Sequence, residues 1–180
     1  MRVIAGTARG TRLGKVPART RPLSDRAREG LFASLGAQVR DGRCADLFAG
    51  TGAVGIEALS RGAATCAFVD SSAPAVRTIR ENLWKTGLGE RATVVRSDVR
   101  RFLDRPTGPY DLAFLDPPYR LPDRALRDVL ETLRSRLSEG ATVALTRPSG
   151  AHTDVIPVDW PVVRRLVYGD TRILLCREGA

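Results

Sequence analysis

The stretch Tyr110-Asp111-Leu112-Ala113-Phe114-Leu115-Asp116-Pro117-Pro118-Tyr119 constrains this chain more than any other. A short apolar run halted by two prolines reads as a buried strand, expected over residues 110–116, with an abrupt end. Each proline lacks an N–H and fixes its own φ, and each drives the residue before it towards an extended conformation. Asp116 and Pro117 then offer one carboxylate and one carbonyl side by side at a strand's carboxyl end. In open α/β sheets that edge is where ligands bind. Two acceptors beside Tyr119 suit a planar group bearing an NH2: the amine donates to both acceptors while the ring stacks on the tyrosine. Taken alone, Asp-Pro-Pro is explained equally well by a strand running into a proline turn.

From residue 43 onwards, apolar runs of strand length alternate with helical patterns, the signature of a mostly parallel sheet covered on both faces. Strands are expected at 43–48, 65–70, 93–98, 110–116 and 141–147, and helices at 53–61, 72–86 and 122–137. In the last helix Leu126, Val129, Leu130, Leu133 and Leu137 keep helical register. Ser72 is the expected cap of the second helix and Gly87 its end. Val162 to Tyr168 and Thr171 to Cys176 form an expected hairpin around Gly169-Asp170. The fold class that follows is α/β, with a seven-stranded, mostly parallel sheet closed by an antiparallel C-terminal hairpin.

Asp46-Leu47-Phe48-Ala49-Gly50-Thr51-Gly52-Ala53-Val54-Gly55 joins the first of these strands to a helix. Glycines let a backbone turn tightly and approach a ligand beside a helix N-terminus. Gly50, Gly52 and Gly55 satisfy the dinucleotide pattern, and Asp70 follows at the next strand end, where a carboxylate can accept from both hydroxyls of a ribose. A nicotinamide cofactor fits this segment. Three features favour S-adenosylmethionine instead. Asp46 stands where a carboxylate can meet a cationic amino-acid group, Asp98 ends the next strand where it can accept from an adenine amine, and the fourth strand ends in Asp-Pro-Pro-Tyr. Glycines that serve helix packing, with acids as strand caps, would explain each piece separately but not their common sheet order.

Charge points to the partner. The chain carries +9 with a pI near 10.6, and nearly all its cations are arginine, since Lys15 and Lys85 are the only lysines. Residues 1–30 hold eight cations against Asp25 and Glu29, which is +6 of the total. Such an excess suits a polyanion. Two short strands, 2–5 and 11–16, are expected there as a hairpin carrying Arg9 and Arg12. A basic connector with Arg19 and Arg21 follows, then a helix capped by Ser24 that packs Ala27, Leu31, Phe32 and Leu35 inward and keeps Arg26 outward. The competing account is a hairpin that covers a sheet edge with its charges solvated. Cys44, Cys66 and Cys176 fall in strands without metal-ligand spacing and read as buried thiols; His152 reads as a surface residue. With 180 residues, no long apolar run and no leader pattern, a soluble cytoplasmic monomer without metal is expected.

The chain resembles class I, Rossmann-like S-adenosylmethionine-dependent methyltransferases that modify amines, and most closely the RsmD family of small-subunit rRNA guanine-N2 methyltransferases. The resemblance rests on Arg2-Val3-Ile4-Ala5-Gly6, on Arg21-Pro22-Leu23-Ser24-Asp25-Arg26-Ala27-Arg28-Glu29, on the segment from Asp46 to Ala63, on Asp116-Pro117-Pro118-Tyr119 and on Tyr168-Gly169-Asp170-Thr171-Arg172. It implies that Asp46, Gly50 and Gly52 line the methionine end of S-adenosylmethionine, Asp70 the ribose and Asp98 the adenine. Phe48, Thr51, Ser71 and Val99 complete that cofactor set, and Asp116, Pro117, Pro118 and Tyr119 would hold the target base. Residues 1–40 become a basic extension dependent on a methyltransferase domain at 41–180. Arg9, Arg12, Arg19, Arg21 and Arg26 become the RNA contacts, on 16S rRNA within an assembled or assembling 30S particle. The implied activity is methylation of guanine 966 at N2. Methylation of adenine N6 in DNA or RNA, nicotinamide-dependent oxidoreduction and non-catalytic RNA binding are the alternatives. Two departures stand out: Asp70 occupies a position where glutamate is usual, and Thr146-Arg147-Pro148 replaces a stretch that often carries glutamate, so it is assigned no role.

Overall fold

The computed structural model describes residues 1–15 and 23–179. Among the described residues seven strands form one sheet: β1 (Arg43–Leu47), β2 (Thr65–Asp70), β3 (Ala92–Arg96), β4 (Tyr110–Leu115), β5 (Leu137–Pro148), β6 (Val162–Tyr168) and β7 (Thr171–Arg177). Their order is β3-β2-β1-β4-β5-β7-β6. The first five are parallel, and β7 inserts antiparallel between β5 and β6. The chain winds one way from β1 to β3 and the other way from β1 through β4 and β5. The crevice therefore opens between β1 and β4, the switch point where such sheets bind ligands. This is the expected α/β architecture.

Side chains alternate across the pleat, so each strand feeds two cores. On one face Cys44, Cys66, Phe68, Leu112 and Phe114 pack under α1 (Asp25–Leu35), α2 (Ala53–Ser60) and α3 (Ala73–Thr86). On the other, Leu47, Val69, Ala113, Leu115 and Val143 pack under α4 (Val99–Leu103) and α5 (Asp123–Arg134). Burying a side chain of this size contributes roughly 1.5–3 kcal/mol. By the same alternation Asp46, Asp70 and Asp116 share the parity of Cys44, Phe68 and Phe114, which puts three carboxylates at neighbouring strand ends on one face. The three cysteines are buried and free, and His152 is exposed.

Several boundaries differ from the sequence reading. Helix α5 ends at Arg134, not 137, and β5 begins at Leu137, not 141. Leu137 matches the helical period, but it pairs with Tyr110 across the sheet, and the Arg136 carbonyl takes the Tyr110 N–H at 2.8 Å. Strand β3 stops at Arg96, and Asp98 caps the short helix α4, whose five residues gave too little periodicity to be read. Ser24 and Ser72 cap α1 and α3, and Gly87 ends α3 in the left-handed region, as expected. The N-terminal strands 2–5 and 11–16 reduce, over the described residues, to one antiparallel bridge between Arg2 and Arg12. Ile4 and Ala5 give their N–H groups to the Glu57 carboxylate at 2.7 and 3.0 Å, so they have none for a hairpin ladder.

This segment is bound to the body. Val3, Ala8 and Leu13 are buried in the same core as α1, α2 and α3. Glu57 is fully buried; besides the two N–H groups it takes Arg61 Nε at 2.7 Å. Ser60 Oγ donates to the Ala5 carbonyl and accepts from the Ala8 N–H. Gly6 passes so close that a Cβ there would lie 1.8 Å from the Ser60 carbonyl oxygen. Arg28, counted above among the basic excess, is buried, donates to the Arg2 carbonyl and pairs with Asp25.

Candidate active site at the switch point

The loop after β1 is held before any ligand arrives. Phe48, Gly50 and Gly52 all have positive φ, at 63°, 55° and 74°. A non-glycine residue such as Phe48 pays about 1–2 kcal/mol for that conformation. The surrounding bonds impose it: Ala49 N–H donates to the Val69 carbonyl at 3.0 Å and Gly50 N–H to Asp70 Oδ2 at 2.9 Å. Thr51, itself buried, accepts on its carbonyl from Asn82 Nδ2 at 2.9 Å. The glycines differ in purpose. A Cβ on Gly55 would meet the Phe68 ring at 2.4 Å, so Gly55 serves helix-to-strand packing, whereas nothing lies within 4 Å of one on Gly50.

Asp46 is 4% exposed and accepts from Gly55 N–H at 2.9 Å. Burial pushes its carboxyl up to about 8 against the pull of that N–H, and the charges of Asp116 and Asp70 add to the push. A buried carboxyl held this high is stabilised by an incoming cation. Asp70 accepts Gly50 N–H on one oxygen and Ser72 N–H at 2.8 Å on the other. Each oxygen keeps a second lone pair for a hydroxyl donor. Ser71 is exposed beside it.

Asp98 stands at the rim of an open cleft of about 190 Å³ lined also by Phe48, Val99, Arg100, Leu121 and Val129. Its Oδ1 accepts Arg101 N–H at 3.3 Å as the cap of α4, so the structural role and a contact to a ligand coexist on one carboxylate. Val99 is buried on the wall below. Apolar side chains and one carboxylate acceptor, with Arg100 at its edge, give the cleft a lining that suits an aromatic base.

Across the switch point, β1 and β4 run in register from Cys44 with Leu112 to Leu47 with Leu115. Asp116 is the next residue, its N–H directed at the Leu47 carbonyl at 3.4 Å. Burial pushes the Asp116 carboxyl up to about 6. Pro117 is buried and Pro118 exposed. The Pro118 carbonyl takes Leu121 N–H at 2.8 Å, while the Pro117 carbonyl receives no hydrogen bond among the described residues. Tyr119 is 65% exposed. Arg147 Nη2 reaches Asp123 Oδ1 at 2.7 Å and ties the end of β5 to the start of α5, which brackets the segment from Asp116 to Pro122.

The sequence matches, over residues 1–177, the family model described as Conserved hypothetical protein 95. The chain belongs to this family, the RsmD family. It is 40% identical over 185 residues to YlbH of Bacillus subtilis (strain 168), covering 99% of each chain. It is 32% identical over 184 residues to Ribosomal RNA small subunit methyltransferase D of Escherichia coli (strain K12), covering 100% of this chain and 91% of that one. Among solved structures it is similar to yhhF from Escherichia coli, with a TM-score of 0.87 and 33% identity over 100% and 98% of the two chains. An RsmD-family chain is a methyltransferase of the class I fold, and its methyl donor is S-adenosylmethionine. The residues present fit that donor: a buried carboxyl in want of a cation at Asp46, a carboxylate at Asp70, open space over Gly50 and a slot at Phe48 and Asp98. A nicotinamide cofactor offers no ammonium group to Asp46.

The fold thus brings Asp46, Phe48, Gly50, Thr51, Gly52, Asp70, Ser71, Asp98 and Val99 to one rim with Asp116 to Tyr119 beside them. Arg9, Arg12 and Arg26 are exposed, and Arg19 and Arg21 lie outside the described residues. Asn82 and Glu57 were missed, although each left a signal. Asn82 falls one turn from Ile79 on an apolar stripe, and Glu57 sits within Ala53-Val54-Gly55-Ile56-Glu57-Ala58-Leu59. A polar group on a buried face must have a partner.

Proposed function

We propose that this methyltransferase acts on ribosomal RNA of the small subunit, at the exocyclic N2 of a guanine, and in the finest reading at guanine 966 of 16S rRNA. One observation supports this above the rest. Asp116 and the Pro117 carbonyl leave two acceptors open beside an exposed tyrosine, next to the cofactor rim. Acceptors without intramolecular donors select a ligand that brings two N–H groups on one nitrogen. The relatives' small-subunit specificity and the basic excess of residues 1–30 favour rRNA as the molecule that carries the amine. The substrate is read as an assembled or assembling 30S particle and the enzyme as a monomer.

When bound, S-adenosylmethionine supplies an electrophilic methyl group on a positively charged sulfur. The chain's own contribution is position and acceptance of hydrogen bonds. A guanine N2 lone pair is delocalised into the ring. Two bonds from its N–H groups to Asp116 and Pro117 favour a pyramidal nitrogen whose lone pair points away from them. Holding that geometry supplies much of the rate, since the alignment is made before reaction. No strong base is needed beforehand; the proton shed as the N–C bond forms can pass to Asp116. The target base must leave its stack, and stacking on Tyr119 offsets that by roughly 1–3 kcal/mol. Residues 1–40 are read as the RNA-binding extension of the domain at 41–180, with Arg9, Arg12, Arg19, Arg21 and Arg26 on phosphates.

The test is nucleoside analysis of small-subunit rRNA after incubation with the enzyme and S-adenosylmethionine. N2-methylguanosine at one site is the expected product. N6-methyladenosine would assign the same acceptor pair to adenine, and absence of any methylated base on rRNA or 30S particles would remove the reading.

A further inference from the structure

The outward face of α3 holds a feature that neither the cofactor rim nor the base-holding stretch uses. Trp84 is 82% exposed, whereas the chain's other tryptophan, Trp160, is 2% exposed. One exposed apolar residue is ordinary on a protein surface; its neighbours make this one specific. At the helical period Arg77, Arg80 and Trp84 fall at i, i+3 and i+7 along one stripe, opposite the buried Ala75, Ile79 and Asn82. Arg77, Arg80 and Lys85 are exposed, and none is held in a salt bridge among the described residues. The helix's one acid, Glu81, stands on the flank four residues before Lys85.

The N-terminal segment meets this helix on its other side, at Asn82 and Lys85. Gly14 N–H donates to Asn82 Oδ1 at 2.7 Å, and Lys85 Nζ is 3.8 Å from where a Gly14 Cβ would be. Residues 1–15 contain no acid, and Arg9, Arg12 and Lys15 are exposed. Cations therefore flank α3 on both sides, with Lys85 between the segment and the stripe, and the stripe carries a single large aromatic ring. A protein partner needs an apolar centre within an interface of about 1,000 Å² or more. One indole among cations does not make such a centre. It does make the pairing that single-stranded nucleic acid uses, a ring for a base and cations for the backbone on either side.

We propose that the Arg77–Arg80–Trp84 face of α3 extends the RNA-binding surface of the N-terminal segment. Trp84 stacks on an unpaired base outside the active site, and Arg77, Arg80 and Lys85 neutralise the phosphates around it. The inference rests on the rRNA reading above, and its test separates the two. Stacking is tolerant of base identity, so this contact sets affinity and register and leaves the choice of guanine to the active site.

The experiment titrates the full chain with a small-subunit rRNA fragment containing the methylated guanine and its single-stranded flanks. Tryptophan fluorescence is the readout, because Trp160 is sheltered and a base on Trp84 quenches the exposed indole. RNA should quench the wild-type protein, and Trp84→Leu should abolish the quench. Trp84→Leu should weaken RNA binding about tenfold, within the range one base–aromatic stack spans, with an unchanged salt slope because no charge is lost. Trp84→Tyr should restore affinity. Arg77→Gln and Arg80→Gln should each flatten the log–log salt slope by about 0.7–0.9. At saturating RNA the turnover of Trp84→Leu should equal that of wild type. If wild type methylates the fragment while Trp84→Leu binds it equally well, this inference falls and the rRNA reading stands. If wild type acts only on 30S particles, the same variants are compared on the particle; if it neither binds nor methylates fragment or particle, both fall. If Trp84→Leu instead disperses a dimer of the protein in sedimentation, the face belongs to a second copy and the inference is wrong.

Discussion

The glycine loop after β1 and the Asp-Pro-Pro-Tyr stretch after β4 face each other across the switch point, yet they are built on opposite plans. In the loop, polar groups already have partners: Asp46 on Gly55, Gly50 on Asp70, Thr51 on Asn82. In the stretch, prolines remove the donors and leave the Asp116 carboxylate and Pro117 carbonyl open, with Tyr119 projecting into solvent. A site shaped in advance binds without the cost of ordering itself. A site with open acceptors is completed by what it binds, and so discriminates by hydrogen-bond donors. Substitutions in the loop should therefore act on cofactor affinity and stability, and substitutions in the stretch on turnover alone.

The largest expected effect tests the second half of that contrast. Asp116→Ala should lower methyl transfer by about 100- to 1000-fold, the loss typical of one preorganised group removed from a reacting centre. Calorimetry should find the affinity for S-adenosylmethionine within a factor of about two of wild type, given that Asp116 makes no bond to the loop's side chains. Tyr119→Ala should cost about 1–3 kcal/mol in transfer while Tyr119→Phe retains activity, because the ring face is the part in use. A parallel fall in cofactor affinity for Asp116→Ala would join the two regions into one cooperative unit and end the distinction.

Asp70→Ala should have the next largest effect, on binding. It removes an acceptor for two ribose hydroxyls, about 1.5–3 kcal/mol for charge-assisted bonds. It also releases the N–H groups of Gly50 and Ser72, so the loop loses shape as well as a contact. Asp70→Asn should fall between, keeping one acceptor oxygen. Turnover at saturating cofactor should change little in either variant. A drop in turnover with unchanged affinity would place Asp70 on the reacting side.

How far the sequence reached follows the same division. Local signals carried the glycine loop, the caps at Ser24 and Ser72, the hairpin and the strand ended by two prolines, because each rests on backbone chemistry that the residue itself enforces. Long-range partners were not legible. Nothing in Gly14 names Asn82, and nothing in Ile4 and Ala5 names Glu57, since those bonds span 68 and about 52 residues of chain. For that reason the N-terminal hairpin dissolved into a single bridge, and a deletion of residues 1–17, attractive on charge alone, would strip the buried Glu57 carboxylate of the Ile4 and Ala5 N–H groups and leave it Arg61 alone. Substituting Arg9 and Arg12 is the cleaner probe of the segment's charge. Leu137 shows the converse error: its period fitted a helix, but Tyr110 needed a strand partner.

The smallest expected effect is a pH dependence that divides between the two regions. Without a cationic partner Asp46 titrates at about 8, so at neutral pH the carboxyl keeps its proton. A ligand ammonium favours the ionised form, and binding must expel that proton. Affinity for S-adenosylmethionine should therefore rise with pH up to about 8, by at most about tenfold per unit, which is one proton's worth of linkage. Calorimetry near neutral pH in two buffers of different ionisation enthalpy should read the released proton, and Asp46→Asn should abolish both the release and the slope. Asp116, pushed by burial to about 6, works in the same direction on a different quantity. Below about 6 its carboxyl is protonated and can no longer accept from the amine with full strength, so turnover at saturating cofactor should fall as pH drops through that value. Affinity should follow the first carboxyl and turnover the second. A single titration governing both quantities would mean that Asp46 and Asp116 share one proton across the switch point, and the two regions would have to be treated as one coupled pair.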